Sequence, residues 1–196
     1  MTLTLPSSAR LRMTGRRLIS SRNEMTPAFG GPDSRVNRLG SRWAMQFQIV
    51  TLSAADALDW IDLEDETSTV TIEIPQPGLS VGSPGTPVID GAAQSGNAYA
   101  VRGVTPGYVM RKGQWLSVID AGQRYVYQTR SAATADGLGD ITIPLRPLIR
   151  SSVADGATVE IAQPMIEGFA SLPATAFDLD NNAFAAGLSF LVKELA

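Results

Sequence analysis

A chain of 196 residues, 44% apolar and 18% charged, has enough apolar material for one large domain or two small ones and does not read as disordered. It contains no cysteine and no histidine, which excludes a disulfide framework, a thiolate metal site, and both Ser-His-Asp and Cys-His catalysis. The net charge of −3 hides a local +6 over residues 1–50 and a local −7 over residues 51–75, where seven acids stand without a base.

Neighbouring blocks of opposite sign point to a salt-bridged seam or to head-to-tail contact between copies. A surface for nucleic acid would carry one sign, so direct nucleic-acid binding is not expected. The N-terminus has no apolar run of the secretory kind; Arg10, Arg12, Arg16 and Arg17 interrupt it. No apolar stretch approaches the roughly 20 residues that span a bilayer, so a soluble protein without membrane insertion is expected.

In chain order, residues 1–34 read as an N-terminal arm and loop. Leu3 to Leu5 and Leu11 to Ser21 are β-like, with Gly15 a candidate bulge, and such an arm is suited to a sheet edge. Pro27 to Pro32 is a loop. Trp43, Met45, Phe47 and Ile49 fall on one face of a strand, and Ala44, Gln46 and Gln48 on the other.

Ser53 and Asp56 make a capping box, with Leu52 as its hydrophobic staple, so Leu52 to Glu66 is predicted as a short acidic helix. Its acids crowd the C-terminal half, where the helix dipole disfavours them, which points to a basic partner surface. Val70 to Ile74 alternates again as a strand.

From Gln76 the character changes to turns joined by short β runs: Tyr99 to Arg102, Trp115 to Ile119, Arg124 to Thr129, Ile141 to Leu145 and Val159 to Ile161. About five strands at roughly ten-residue spacing predict a small barrel or sandwich. Phe169 to Leu172, Ala176 to Leu179 and Leu188 to Val192 then read as closing strands of the first domain. The expected class is mainly β with one short helix. A ring-forming, sandwich-like domain (35–75 plus 166–196) is split by an inserted barrel-like domain (76–165).

The candidate chemistry is thin. The acids of the 52–66 helix are numerous and adjacent, as on a solvent or partner face, where a paired-carboxylate site would bury one of two. Asp178 to Asn182 looks like the start of a calcium loop but lacks its Gly and its bidentate Glu. The glycine stretches match neither a Walker sequence nor a dinucleotide fingerprint. No aromatic residue is interleaved with Arg12, Arg16 and Arg17 for base stacking. Trp43 and Trp115 are core or interface anchors on the commoner reading and saccharide platforms on the other. No metal, cofactor or enzymatic turnover is expected.

Three stretches together resemble a known family. They are Asn37-Arg38-Leu39-Gly40-Ser41-Arg42-Trp43-Ala44 running into a strand and then an alanine-rich helix; Gln76 to Val88 followed by Arg102-Gly103-Val104-Thr105-Pro106-Gly107; and Ala133 to Gly137 with Pro144 to Leu148 and Ala154 to Val159. Over roughly residues 30–195 the chain resembles a distal tail or minor tail protein of long non-contractile tailed bacteriophages (siphophage type) or a related prophage or gene-transfer particle.

The resemblance implies a commonly hexameric ring with a second β-domain projecting outward. It also implies contacts with tail tube protein, tape measure protein and the tail hub or tip, in a virion made in the host bacterial cytoplasm. A ring needs two complementary faces per subunit. The basic lead, with Arg35, Arg38 and Arg42, and the acidic segment, with Asp59, Asp62, Asp65 and Glu66, are the candidates for its subunit interface. The alternative is a carbohydrate-binding or host-adhesion module of the tail tip, using Trp115, Tyr125 and Tyr127.

Overall fold

The computed structural model describes residues 2–4, 11–49, 51–53, 60, 63, 68–172, 178–179, 184–186 and 188–195. The fold is mainly β, with a closed six-stranded barrel amid larger sheets. A six-stranded sheet runs in the order β1 (Thr2–Thr4), β7 (Thr69–Glu73), β16 (Met165–Ser171), β19 (Ser189–Glu194), β5 (Arg42–Ile49), β2 (Leu11–Ile19). Only β1 pairs in parallel, with β7, among the described strands of this sheet. The N-terminal segment therefore supplies a strand to each edge. The β2–β5 register shifts between Met13 and Gly15, so the bulge falls where Gly15 is expected to make one.

The alternation of β5 determines its facing. Met45, Phe47 and Ile49 are buried with Val70, Ile72, Ile166, Leu188, Phe190 and Val192, while Gln46 is exposed on the other face. Fully burying one such side chain is worth about 1.5–3 kcal/mol. Ala44, expected on the outer face, is buried as well.

The expected helix begins differently. Thr51–Ser53 form a strand, β6, that pairs with β18 (Phe184–Ala186), so Leu52 and Ser53 form part of a ladder where a staple and cap are expected. Most of the remaining segment lies outside the described residues. Trp60 is buried 6.1 Å from the Phe190 ring. Asp178–Leu179 form β17, which pairs with β18; Asp180 to Asn182 lie outside the described residues.

The barrel runs β11 (Trp115–Asp120), β12 (Gln123–Thr129), β14 (Ile141–Arg146), β9 (Ala98–Val104), β8 (Gly85–Ile89), β15 (Thr158–Glu160) and closes on β11. Its five expected strands are present. The sixth, β8, carries Pro87, a residue that argues against a strand reading. The register of β8 on β9 shifts between Gly85 and Val88, and Pro87 sits inside that irregularity.

Tyr99, Leu116, Val118, Tyr127, Ile143 and Val159 fill the barrel interior. The opposite faces of β11 and β12 are also buried, because Trp115 and Val126 join the core of the six-stranded sheet. Trp115 meets Trp43 edge-on at a centroid distance of 4.8 Å.

The turn between β13 (Ala133–Thr134) and β14 is organised by one carboxylate. Asp136 accepts from the N–H of Leu138 at 2.8 Å and of Asp140 at 2.9 Å, and the bonds from Asp140 and Leu138 hold its carboxyl below the usual range. A depressed carboxyl contributes stability above its unfolded pKa and loses it as pH falls through the folded one. Asp136→Ala should thus lower the thermal midpoint at neutral pH, and the difference from the parent should vanish in acid. An unchanged difference at low pH would show that the turn does not depend on the ionised form.

Candidate assembly surface

The barrel is fastened to the sheet by a buried polar seam. Glu194, at the end of β19, accepts from the Trp43 N–H at 2.9 Å and the Val126 N–H at 2.5 Å, and pairs with Arg150. One carboxylate thus joins β5, β12, β19 and the segment after β14. Burial pushes the Glu194 carboxyl above its ordinary value; Arg150 and the two N–H groups pull the other way.

The Arg150 guanidinium lies 5.1 Å from the Tyr125 ring centre and 5.8 Å from that of Tyr127. Nearby, Arg124 pairs with Glu160 at 3.2 Å, and its N–H donates to Glu167 at 3.2 Å. Met165 N–H donates to Ser117 Oγ at 3.0 Å, and Ser117 Oγ donates to Glu160 at 2.6 Å. This network holds two β bodies in one arrangement. Burial raises the Tyr99 and Tyr127 phenols, which therefore stay protonated at neutral pH.

Against this rigid frame, one segment is built differently. Beyond the β2–β5 pair, the chain continues as a two-stranded ribbon, β3 (Asn23–Met25) with β4 (Ser34–Val36), before returning to the sheet. Every residue from Arg22 to Leu39 is exposed. That run includes Met25, Val36, Leu39 and Phe29, whose relative exposure is 101% at a tip bounded by Pro27 and Pro32. A hairpin alone is marginal in water. Its ion pairs, Arg35–Glu24 at 2.8 Å and Arg22–Glu24 at 3.5 Å, are exposed and contribute about 0–1 kcal/mol. At the root of the arm, Leu18, Leu39 and Leu148 line one groove. Clustered exposed apolar residues of this kind mark an interaction surface.

The expected interface residues are placed unequally. Arg35 and Arg38 lie on the arm and are exposed; Arg42, at the start of β5, is half-buried. Asp59, Asp62, Asp65 and Glu66 lie outside the described residues. Of the residues expected on a saccharide surface, Trp115 and Tyr127 are buried, the first between sheet and barrel and the second in the barrel core, and Tyr125 is half-covered beneath Arg150. Alternation alone does not show that β11 and β12 are covered on both faces.

The seam of Glu194 and Arg150 is not legible in the sequence, since nothing near either residue points to its partner. Phe29 carried a faint signal, an aromatic residue in a loop of Pro, Ala and Gly. No group of acidic residues among the described ones is arranged to hold a metal ion, and no helix among them is long and apolar enough to cross a membrane. Compared with protein-family models and with curated proteins, the chain matches none.

Proposed function

We propose that this protein is a structural part of a phage or phage-like tail, a ring-forming distal tail component joining tail tube to tail tip. The observation that carries the reading is the fully exposed, partly apolar arm from Arg22 to Leu39 on an otherwise well-buried pair of β bodies. An exposed arm suits a subunit that works by packing, and its insertion into a different surface of a second copy is a heterologous contact, the kind that closes into a ring when the rotation between copies closes. The order of segments, a sheet interrupted by a barrel, supports the same reading, as does the resemblance of residues 30–195 to tail proteins. Its partners are then further copies of itself, tail tube protein, tape measure protein and the hub, within the virion tail. The saccharide-binding alternative loses ground because two of its three aromatic residues are buried.

The reading is tested by native mass over a range of concentrations. A closed species near six times the 20.8 kDa chain is expected. Arg35→Glu, Arg38→Glu and Arg42→Glu should each weaken self-association about tenfold by opposing the basic–acidic contact between copies, while leaving the monomer folded. Unimpaired assembly by all three reversals would rule out the basic–acidic contact between copies.

A further inference from the structure

A groove of about 510 Å³ lies on the sheet face opposite the core, lined by Gly15, Arg17, Gln46, Leu172, Ser189 and Leu191. Gly15, Gln46, Leu191 and Ser171 stand in one row of the ladder, crossing β2, β5, β19 and β16. The room exists because Gly15, at the bulge, puts no side chain there, while Leu172 and Leu191 give the groove an apolar lining. Arg17 has no acidic partner among the described residues, and neither does Asp33, four residues from Phe29, have a basic one.

We propose that this groove receives the tip of the arm from a second copy of the chain, with Phe29 entering it and Asp33 pairing with Arg17. The inference rests on the self-assembly reading above and names the contact. Phe29 is fully exposed, so it does not occupy the groove of its own chain. The arm gives it reach: Phe29 lies ten positions beyond Ile19, as much as ~33 Å of extended chain. Tip and groove match in kind, an aromatic side chain near an exposed carboxylate against a partly apolar trough beside an exposed guanidinium. The contact uses different surfaces on the two copies, so it repeats head to tail. An aromatic knob in a desolvated slot is the usual hot spot of an interface.

The test uses the full chain and reads the self-association constant by sedimentation for the parent, Phe29→Ala, Asp33→Arg, Arg17→Asp and the double reversal Asp33→Arg/Arg17→Asp. All three positions are exposed, so each variant should keep the parent's unfolding midpoint. Expected are a weakening of about thirtyfold for Phe29→Ala, a smaller one for each single reversal, and recovery in the double reversal. Parent-like association by Phe29→Ala, or no recovery in the double reversal, would overturn this contact while leaving the ring reading in place. A parent that stays monomeric at every concentration would overturn both.

Discussion

Glu194→Gln is expected to cost about 3–5 kcal/mol of unfolding free energy, the usual effect of removing one partner from a buried ion pair. Glutamine keeps the shape but only one acceptor oxygen, whereas the N–H groups of Trp43 and Val126 donate to different carboxylate oxygens, so the loss combines one backbone N–H left facing an amide donor with the charge left on Arg150, whose side chain is 3% exposed. Arg150→Met in the same chain removes that stranded charge but not the unmatched backbone N–H, so the double variant should recover part of the loss. Urea unfolding followed by tryptophan fluorescence measures all three chains. Because burial pushes the Glu194 carboxyl upward against the pull of Arg150, the experiment also reports its protonation state. A Glu194→Gln protein within 1 kcal/mol of the parent would mean that the carboxyl is protonated in the fold and that no ion pair fastens barrel to sheet.

Gly168→Ala is the second substitution with a large expected effect. Gly168 lies in β16 between Val70 on β7 and Glu194 on β19. An added Cβ would lie 2.6 Å from the carbonyl carbon of Lys193 and 2.9 Å from the Glu194 Cα. The obstruction is backbone, which has no rotamer by which to yield, so β19 itself must move. Overpacking of this kind costs about 3 kcal/mol or more, and here it also displaces the carboxylate of the seam. The losses from Gly168→Ala and Glu194→Gln should therefore be less than additive in one chain. Gly137→Ala is the matched control: nothing stands within 4 Å of its Cβ, and it should be neutral or slightly stabilising. Equal stability of the two alanine variants would show that β16 and β19 do not approach this closely.

Residues whose role is settled by near neighbours were legible in the sequence. The β5 alternation, the Gly15 bulge and five of the six barrel strands follow from side-chain period and turn residues, which act over a few positions. Pro87 concealed the sixth strand because a bulge suspends the rule against proline in a ladder. Leu52 and Ser53 illustrate the converse. Their local chemistry favours a helix start, yet pairing with Phe184–Ala186, more than a hundred positions away, outweighs a capping preference of about 1 kcal/mol.

By itself, then, the sequence determined a chain without cysteine or histidine chemistry, mainly β, with its charges segregated and its strands punctuated by glycine and proline. These follow from residue type and spacing. Tertiary structure decided which surfaces are covered. It buried Trp115 and Tyr127 and left Phe29 bare at the end of an arm. It also brought Arg150 to Glu194 across 44 positions. Burial depends on what packs against a strand from elsewhere in the chain, and period-two alternation has no means of recording that.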